Sequence, residues 1–167
     1  MTLKTFKSYT KSTRGTVLVD RKNLWKGKPH KSLTAGRHST GGRNNLGRIT
    51  SRHKGAGHKH KYRQIDFYRK KDDIKAKVER IEYDPNRSAY VALIKYEDNV
   101  MSYILAPDKI KKGDEVISGK SKEIKPGNCM QLSEIPAGTN IHNIELSPND
   151  GGKLVRSAGA SAQISGT

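Results

Sequence analysis

The sequence predicts an all-β protein with a basic extended arm in front, and three observations carry that prediction. The stretch from Arg21 to Ile65 holds no acid, yet it contains 13 Lys or Arg, five His and seven Gly in 45 residues. From Tyr62 the texture changes to short runs rich in Val, Ile, Tyr and Phe that alternate polar with apolar. Turn clusters of Asp, Pro, Asn and Gly separate those runs at short spacing, as in a small barrel. Residues 1–60 are therefore read as arm, 61–127 as a five-stranded barrel, and 128–167 as a further stretch of strand candidates.

The arm follows from charge and from lack of oil. Residues 1–80 carry 23 basic and 5 acidic side chains; residues 81–167 carry 10 and 11, so the whole net charge of +17 sits in the front half. Hydrophobic residues make up only 32% of the chain. Residues 26–61 offer Leu33, Ala35, Leu46, Ile49 and Ala56 as their only apolar groups, too few to offset the entropy of ordering. Such a block repels itself until a polyanion neutralises it, and nucleic acid is the polyanion that fits. Gly41-Gly42, Gly47, Gly55 and Gly57 let the backbone approach phosphates closely.

The barrel strands follow in order. Tyr62–Arg69 alternates, with Ile65 and Phe67 facing a core, and Ile74–Tyr83 repeats the pattern. Asp84-Pro85-Asn86 is a turn, because Pro presets φ and Asp and Asn bond their own backbone. Ala89–Tyr96 and Val100–Leu105 form a hairpin around Glu97-Asp98-Asn99, and Glu115–Ser118 follows Lys112-Gly113-Asp114. Pro126-Gly127 marks a boundary. Beyond it, Cys129–Leu132, Ile141–Leu146 and Ala162–Ile164 are three more strand candidates, too few to close a barrel. An unpaired sheet edge templates association, so these strands either complete the first barrel or are completed by another chain.

Several function classes drop out. Lone Cys129 excludes an internal disulfide or a multi-cysteine zinc site. No apolar run reaches a membrane span, and the first 19 residues, though basic and rich in Ser and Thr, lack a secretory apolar core. His53, His58 and His60 cluster without a nearby carboxylate or thiol, so no metal is expected. Gly113 with Gly119-Lys120-Ser121 misses the phosphate-loop spacing, and Gly55-Ala56-Gly57 lacks the third glycine of a dinucleotide fingerprint. His142 has no nucleophilic constellation around it. Glu79 and Glu82, alternating with Arg80, read as cross-strand ion pairs. No catalytic residue and no cofactor are expected. An RNA-binding surface remains, carried by Arg43, Asn44, Asn45, Arg48, Arg52, His53, Lys54, His58, Lys59, Tyr62, Arg63, Arg69 and Lys70. Tyr62, Phe67, Tyr68 and Tyr90 are available to stack on unpaired bases.

The motifs then point to a family. Ser39-Thr40-Gly41-Gly42-Arg43-Asn44-Asn45, Gly47-Arg48-Ile49-Thr50 and Gly57-His58-Lys59 resemble the basic arm of large-subunit ribosomal protein two of the bacterial type. Val78–Ala89, with Asp84-Pro85-Asn86-Arg87 at its centre, resembles that family's most recognisable segment. Tyr103–Pro107, Ile124–Asn128, Ile141-His142-Asn143 and Arg156-Ser157-Ala158-Gly159 follow in the family's order. The resemblance implies an OB-fold barrel over 61–127 and an incomplete SH3-like barrel over 128–167. It also implies binding to large-subunit ribosomal RNA near the subunit interface, with support for subunit association and for the peptidyl-transferase region. It adds Arg87, expected to point outward from its turn, and Arg156 with Ser157 as RNA contacts. Any structural Mg2+ would belong to the RNA.

The family's usual chain is considerably longer, so a second polypeptide carrying the carboxy-terminal half is expected as a partner, beside rRNA and other large-subunit proteins. A divided protein, aligned from near its amino terminus, fits a mitochondrial ribosome in the matrix, with a bacterial-type cytoplasmic ribosome as the alternative. The competing functional reading is a free OB-fold RNA-binding translation factor.

Overall fold

The structure, a computed structural model, describes residues 3–36, 39–55 and 57–166. It is all-β: ten short strands, one helical turn and two 3-10 turns occur among the described residues. In chain order the strands are β1 (Leu3–Thr5), β2 (Val17–Val19), β3 (Thr34–Gly36), β4 (Lys61–Arg63), β5 (Ala76–Glu82), β6 (Val91–Tyr96), β7 (Met101–Leu105), β8 (Glu115–Val116), β9 (Asn140–Ile141) and β10 (Ala162–Gln163). The largest sheet has the order β7-β6-β5-β8 with antiparallel neighbours and curls as a half-barrel. Its β6–β7 hairpin turns where Asn99 takes φ 63° and Asp98 accepts the Val100 amide at 3.0 Å, which is the local bonding that Asp and Asn bring to turns.

Both faces of this sheet are buried. Ala76, Val78, Ala92, Ile94, Tyr96, Ile104, Ile110 and Val116 pack on one side, and Val91, Leu93 and Tyr103 pack on the other with Leu33 and Ile65. Strand β6 accordingly reads as a nearly unbroken apolar run, the signature of a strand covered on two sides. A bulge in β5 makes the division possible: the register pairs Val78 with Ile94 and then Arg80 with Leu93, leaving Glu79 extra. Past that residue the side-chain alternation inverts, so Arg80 and Glu82 join the second face instead of entering the barrel.

Several expectations are corrected. The run Tyr62–Arg69 is not a strand of the main sheet. Its first residues form β4, which pairs with β3, and its backbone meets the main sheet only around Ile65, in a bridge to Tyr103. The cause is local: the Asp66 carboxylate accepts the amides of Tyr68 and Arg69 at 3.1 and 2.9 Å, and Arg69 takes φ 50°. Turn bonding there overrides alternation. Cys129–Leu132 likewise supplies one bridge to Ser118 and a 3-10 turn rather than a strand.

The arm is not featureless either. β1 and β2 form a hairpin around a helical turn, Lys11–Arg14, capped by Thr10. Residues 25–36 lie on the sheet: the Trp25 amide donates to the Ile81 carbonyl at 2.8 Å, and the His30 amide donates to the Tyr103 hydroxyl at 2.9 Å. The arm needs no core of its own there because it covers the sheet's second face.

Candidate nucleic-acid interface

The docked arm is held by a buried ionic knot. Glu82 and Asp84 are 1% and 0% exposed. Glu82 accepts Arg63 Nε at 3.2 Å through one oxygen, and Arg80 Nε at 2.8 Å and the Tyr103 hydroxyl at 2.9 Å through the other. Arg63 also reaches Asp84 at 3.5 Å. Glu82 and Arg80 therefore pair within one strand, not across strands as expected: residues two apart share a face of the strand, and the bulge before them sets that face toward the arm.

Asp84 organises the following turn. Its carboxylate accepts the Asn86 amide at 3.0 Å, Asn86 Nδ2 at 2.9 Å and Arg87 Nε at 2.7 Å. Asn86 Nδ2 also donates to the Lys61 carbonyl at 2.8 Å, which ties the turn to β4. Burial raises the Asp84 carboxyl, but the bonds from Asn86 and Arg87 and the Arg87 charge together outweigh it and hold the group below its ordinary value. Arg87 thus folds back instead of pointing outward, a correction to the expectation from the turn. Its guanidinium lies 5.8 Å from the Tyr62 ring and 5.9 Å from the Phe67 ring.

Arg156 covers Phe67 at 4.0 Å and donates to the Gly152 carbonyl at 3.0 Å, and the Ala158 amide donates to the Ser88 hydroxyl at 3.1 Å. The two arginine motifs, far apart in sequence, meet around Phe67.

A measurable consequence attaches to Arg87. Arg87→Ala should lower stability by about 1.5–3 kcal/mol at neutral pH, the range for a hydrogen bond to a charged group. Because the folded Asp84 carboxyl is depressed, its contribution is complete above the ordinary carboxylate value and is lost as pH falls through the folded one. The difference between Arg87→Ala and the parent should therefore shrink in acid, as read by urea melts across pH 2–7. Lys122 pairs with Asp73 on the surface, and Lys122→Ala should cost about 1 kcal/mol or less.

Residues 41–54 make a compact loop whose side chains face water. The Gly42 carbonyl accepts the amides of Thr50 and Ser51 at 2.9 and 3.1 Å, and Asn44 Oδ1 accepts those of Leu46 and Arg48 at 3.0 and 2.9 Å. Gly42 sits at φ 74°, and a Cβ there would meet the Ser51 carbonyl oxygen at 2.2 Å, so only glycine closes the loop. Arg43, Asn45, Arg48, Arg52, His53 and Lys54 stand exposed on it. Among the described residues between 39 and 62, no salt bridge forms. Leu46 and Ile49 are exposed as well, at 74% and 61%. Such a surface of free cations and uncovered apolar groups is complementary to phosphates and to ribose or base edges.

A second cationic run, His58–Lys61, borders an open groove of about 540 Å3 that Trp25, Pro29, Tyr83 and Pro85 also line. His58 and His60 meet edge to face with ring centres 5.6 Å apart.

The sequence-derived residues thus divide by placement. Arg43, Asn44, Asn45, Arg48, Arg52, His53 and Lys54 share one loop. His58 and Lys59 line the groove, Tyr62 lies beside Arg87, and Lys70 sits over the Tyr68 ring at 5.0 Å. Arg156 and Ser157 are exposed beside the Asp84 turn. Two expectations are corrected: Arg63 and Arg69 are only 7% and 8% exposed. Arg63 is drawn inward by Glu82 and Asp84, and Arg69 donates to the Gly127 carbonyl at 3.2 Å. Trp25, Lys61 and Tyr83 line the same groove and stand outside the residues expected from the sequence. The alternation of His and Lys through 58–61 is the available signal for Lys61.

Comparison with known proteins gives a consistent result. Residues 30–118 match the family described as Ribosomal Proteins L2, RNA binding N-terminal domain, and residues 125–167 match Ribosomal Proteins L2, C-terminal domain. The chain is 63% identical over 166 residues to the large ribosomal subunit protein uL2 of Granulibacter bethesdensis, covering 99% of this chain and 60% of that protein. It is 63% and 61% identical to the proteins of that name from Pelagibacter ubique and Acidiphilium cryptum, covering 99% of this chain and 59% and 60% of their lengths. The chain spans about 60% of the length of the curated relatives it matches.

Proposed function

The chain belongs to the ribosomal protein L2 family, and from that premise we propose that it is a structural RNA-binding constituent of the large ribosomal subunit. It supports subunit assembly and association and the architecture of the peptidyl-transferase region, and it carries out no catalysis of its own. The observation that supports this best is the exposed, acid-free cation loop at 41–54, anchored to a β-scaffold through an arm that covers the sheet's second face. The proposed RNA contacts are Arg43, Asn45, Arg48, Arg52, His53 and Lys54 on the loop, His58 and Lys59 at the groove, and Lys70, Arg156 and Ser157 around the aromatic cluster. A transient translation factor is not favoured, since the family match runs through both halves of the chain.

The partners we propose are large-subunit rRNA, neighbouring ribosomal proteins and further β-structure pairing with the short β9–β10 sheet. Intact-mass spectrometry of the particle's proteins reports whether that β-structure arrives on this polypeptide or on a separate chain. The relatives named above are bacterial, so a bacterial-type ribosome is the location proposed. A mitochondrial ribosome is the narrower form of that reading, and cell fractionation tests it.

Co-sedimentation tests the function. The protein should pellet with large subunits and stay there in moderate salt, whereas a factor washes off. Isolated rRNA affinity should fall about 10³–10⁵-fold between 50 and 200 mM salt if 6–10 phosphates are engaged. A flat salt response together with loss from the particle would overturn the proposal.

A further inference from the structure

We propose that the groove beside Trp25 is a receptor for a single unpaired nucleotide, its base held against the aromatic and proline walls and its phosphate on the His58–Lys61 rim. This deepens the rRNA-binding reading and rests on it.

The walls are flat and apolar yet open to water. Trp25 is 48% exposed and Tyr83 37%, Pro29 and Pro85 stand beside them, and the buried pair Arg63–Glu82 also lines the groove with its charges matched to each other. The Trp25 wall is built rather than incidental. Its amide is fixed to the Ile81 carbonyl at 2.8 Å, and Trp25 forms a parallel bridge with Glu82. Arg80 lies over the indole at 4.6 Å. Residue 27 must be glycine for this arrangement, since a Cβ there would stand 2.6–2.7 Å from the indole ring. Tyr83 is held in turn by Arg21, 3.7 Å from its ring centre. Two aromatic rings are thus braced by guanidinium groups while still lining a groove.

The volume of about 540 Å3 falls in the range of sites that enclose small organic ligands, roughly 300–1,000 Å3. The rim supplies Lys59 and Lys61, with His58 and His60 beside them, and no acid interrupts residues 58–61. An RNA duplex offers this surface phosphates, ribose and polar base edges but no base face, which would leave indole and phenol against polar groups. A base turned out of its helix instead covers those rings with its own π-face while its phosphate meets the lysines.

The test uses the 167-residue chain and purified bacterial large-subunit rRNA. Trp25 is the only tryptophan, so its emission reports the groove directly. Addition of rRNA should quench it, and ultraviolet crosslinks should map to the peptides carrying Trp25, Tyr83 or His58–Lys61. Tyr83→Leu keeps apolar bulk and removes the π-face; it should weaken binding on the order of 10-fold or more. Tyr83→Phe keeps the face and should bind as the parent does. Parent-like binding by Tyr83→Leu with unchanged Trp25 emission would overturn the nucleotide receptor while leaving the rRNA reading in place. Absence of any rRNA binding by the parent chain overturns both.

Discussion

Glu82→Ala should lower the stability of the isolated chain by about 3–5 kcal/mol, the cost of removing one partner from a buried ion pair. The carboxylate has three donors, Arg63, Arg80 and the Tyr103 hydroxyl, and truncation leaves Arg63 with only the 3.5 Å contact to Asp84. Domain stabilities run to about 5–15 kcal/mol in total, so the loss is a large fraction of what holds the fold. Glu82→Gln preserves shape and an acceptor and should cost less than Glu82→Ala. Urea titration followed by Trp25 emission reads both, because Trp25 bridges to Glu82. A Glu82→Ala midpoint equal to the parent's would show that the knot is incidental to the docking of the arm.

Replacing Arg43, Arg48, Arg52 and Lys54 together with Ala should leave the fold intact and reduce rRNA affinity by roughly 10²–10³-fold near 150 mM salt. The slope of log affinity against log salt should become shallower by about 3, since each phosphate contact contributes about 0.7–0.9 to it. All four side chains are exposed on the 41–54 loop, and substitutions at such positions change stability by about 0.5 kcal/mol or less each. Filter binding across a salt series, with circular dichroism as the folding control, makes the measurement. An unchanged slope would place the phosphate contacts elsewhere on the chain.

Much of this architecture was legible in the sequence, for identifiable reasons. Strands β5, β6 and β7 announce themselves because they are long enough for alternation or a continuous apolar run to show. The Asp84-Pro85-Asn86 turn is readable because its bonding is local: Asp84 accepts the Asn86 amide two residues on. The arm's charge points to a polyanion without any structure. What escaped depends on partners distant in sequence. Arg63 looks like any arm cation until Glu82 and Asp84 are brought beside it. Arg87 looks outward-facing until Asp84 claims it. Trp25 is a solitary aromatic in a basic stretch, and only its bond to Ile81 places it in the wall of a groove. Asp66 shows the opposite failure, where a short-range turn defeated a pattern that suggested eight residues of strand.

The bulge at Glu79 behaves like a shift of reading frame. Upstream of it, even-numbered residues of β5 point into the barrel; downstream, odd-numbered ones do. The surplus residue matters through the bulge that absorbs it: in a strand paired straight through position 79 the acid at 82 would meet oil, and with the bulge it meets the arm. The side chain at 79 carries little of that information. Drift in composition at this point is harmless, and loss of its codon would restore plain alternation with Arg80 and Glu82 still facing the arm, whereas straightening the strand with residue 79 in place would send two charges into the barrel and detach the cationic arm from its scaffold. The proposed hold on a polyanion thus depends on how one strand is paired as well as on lysines and arginines.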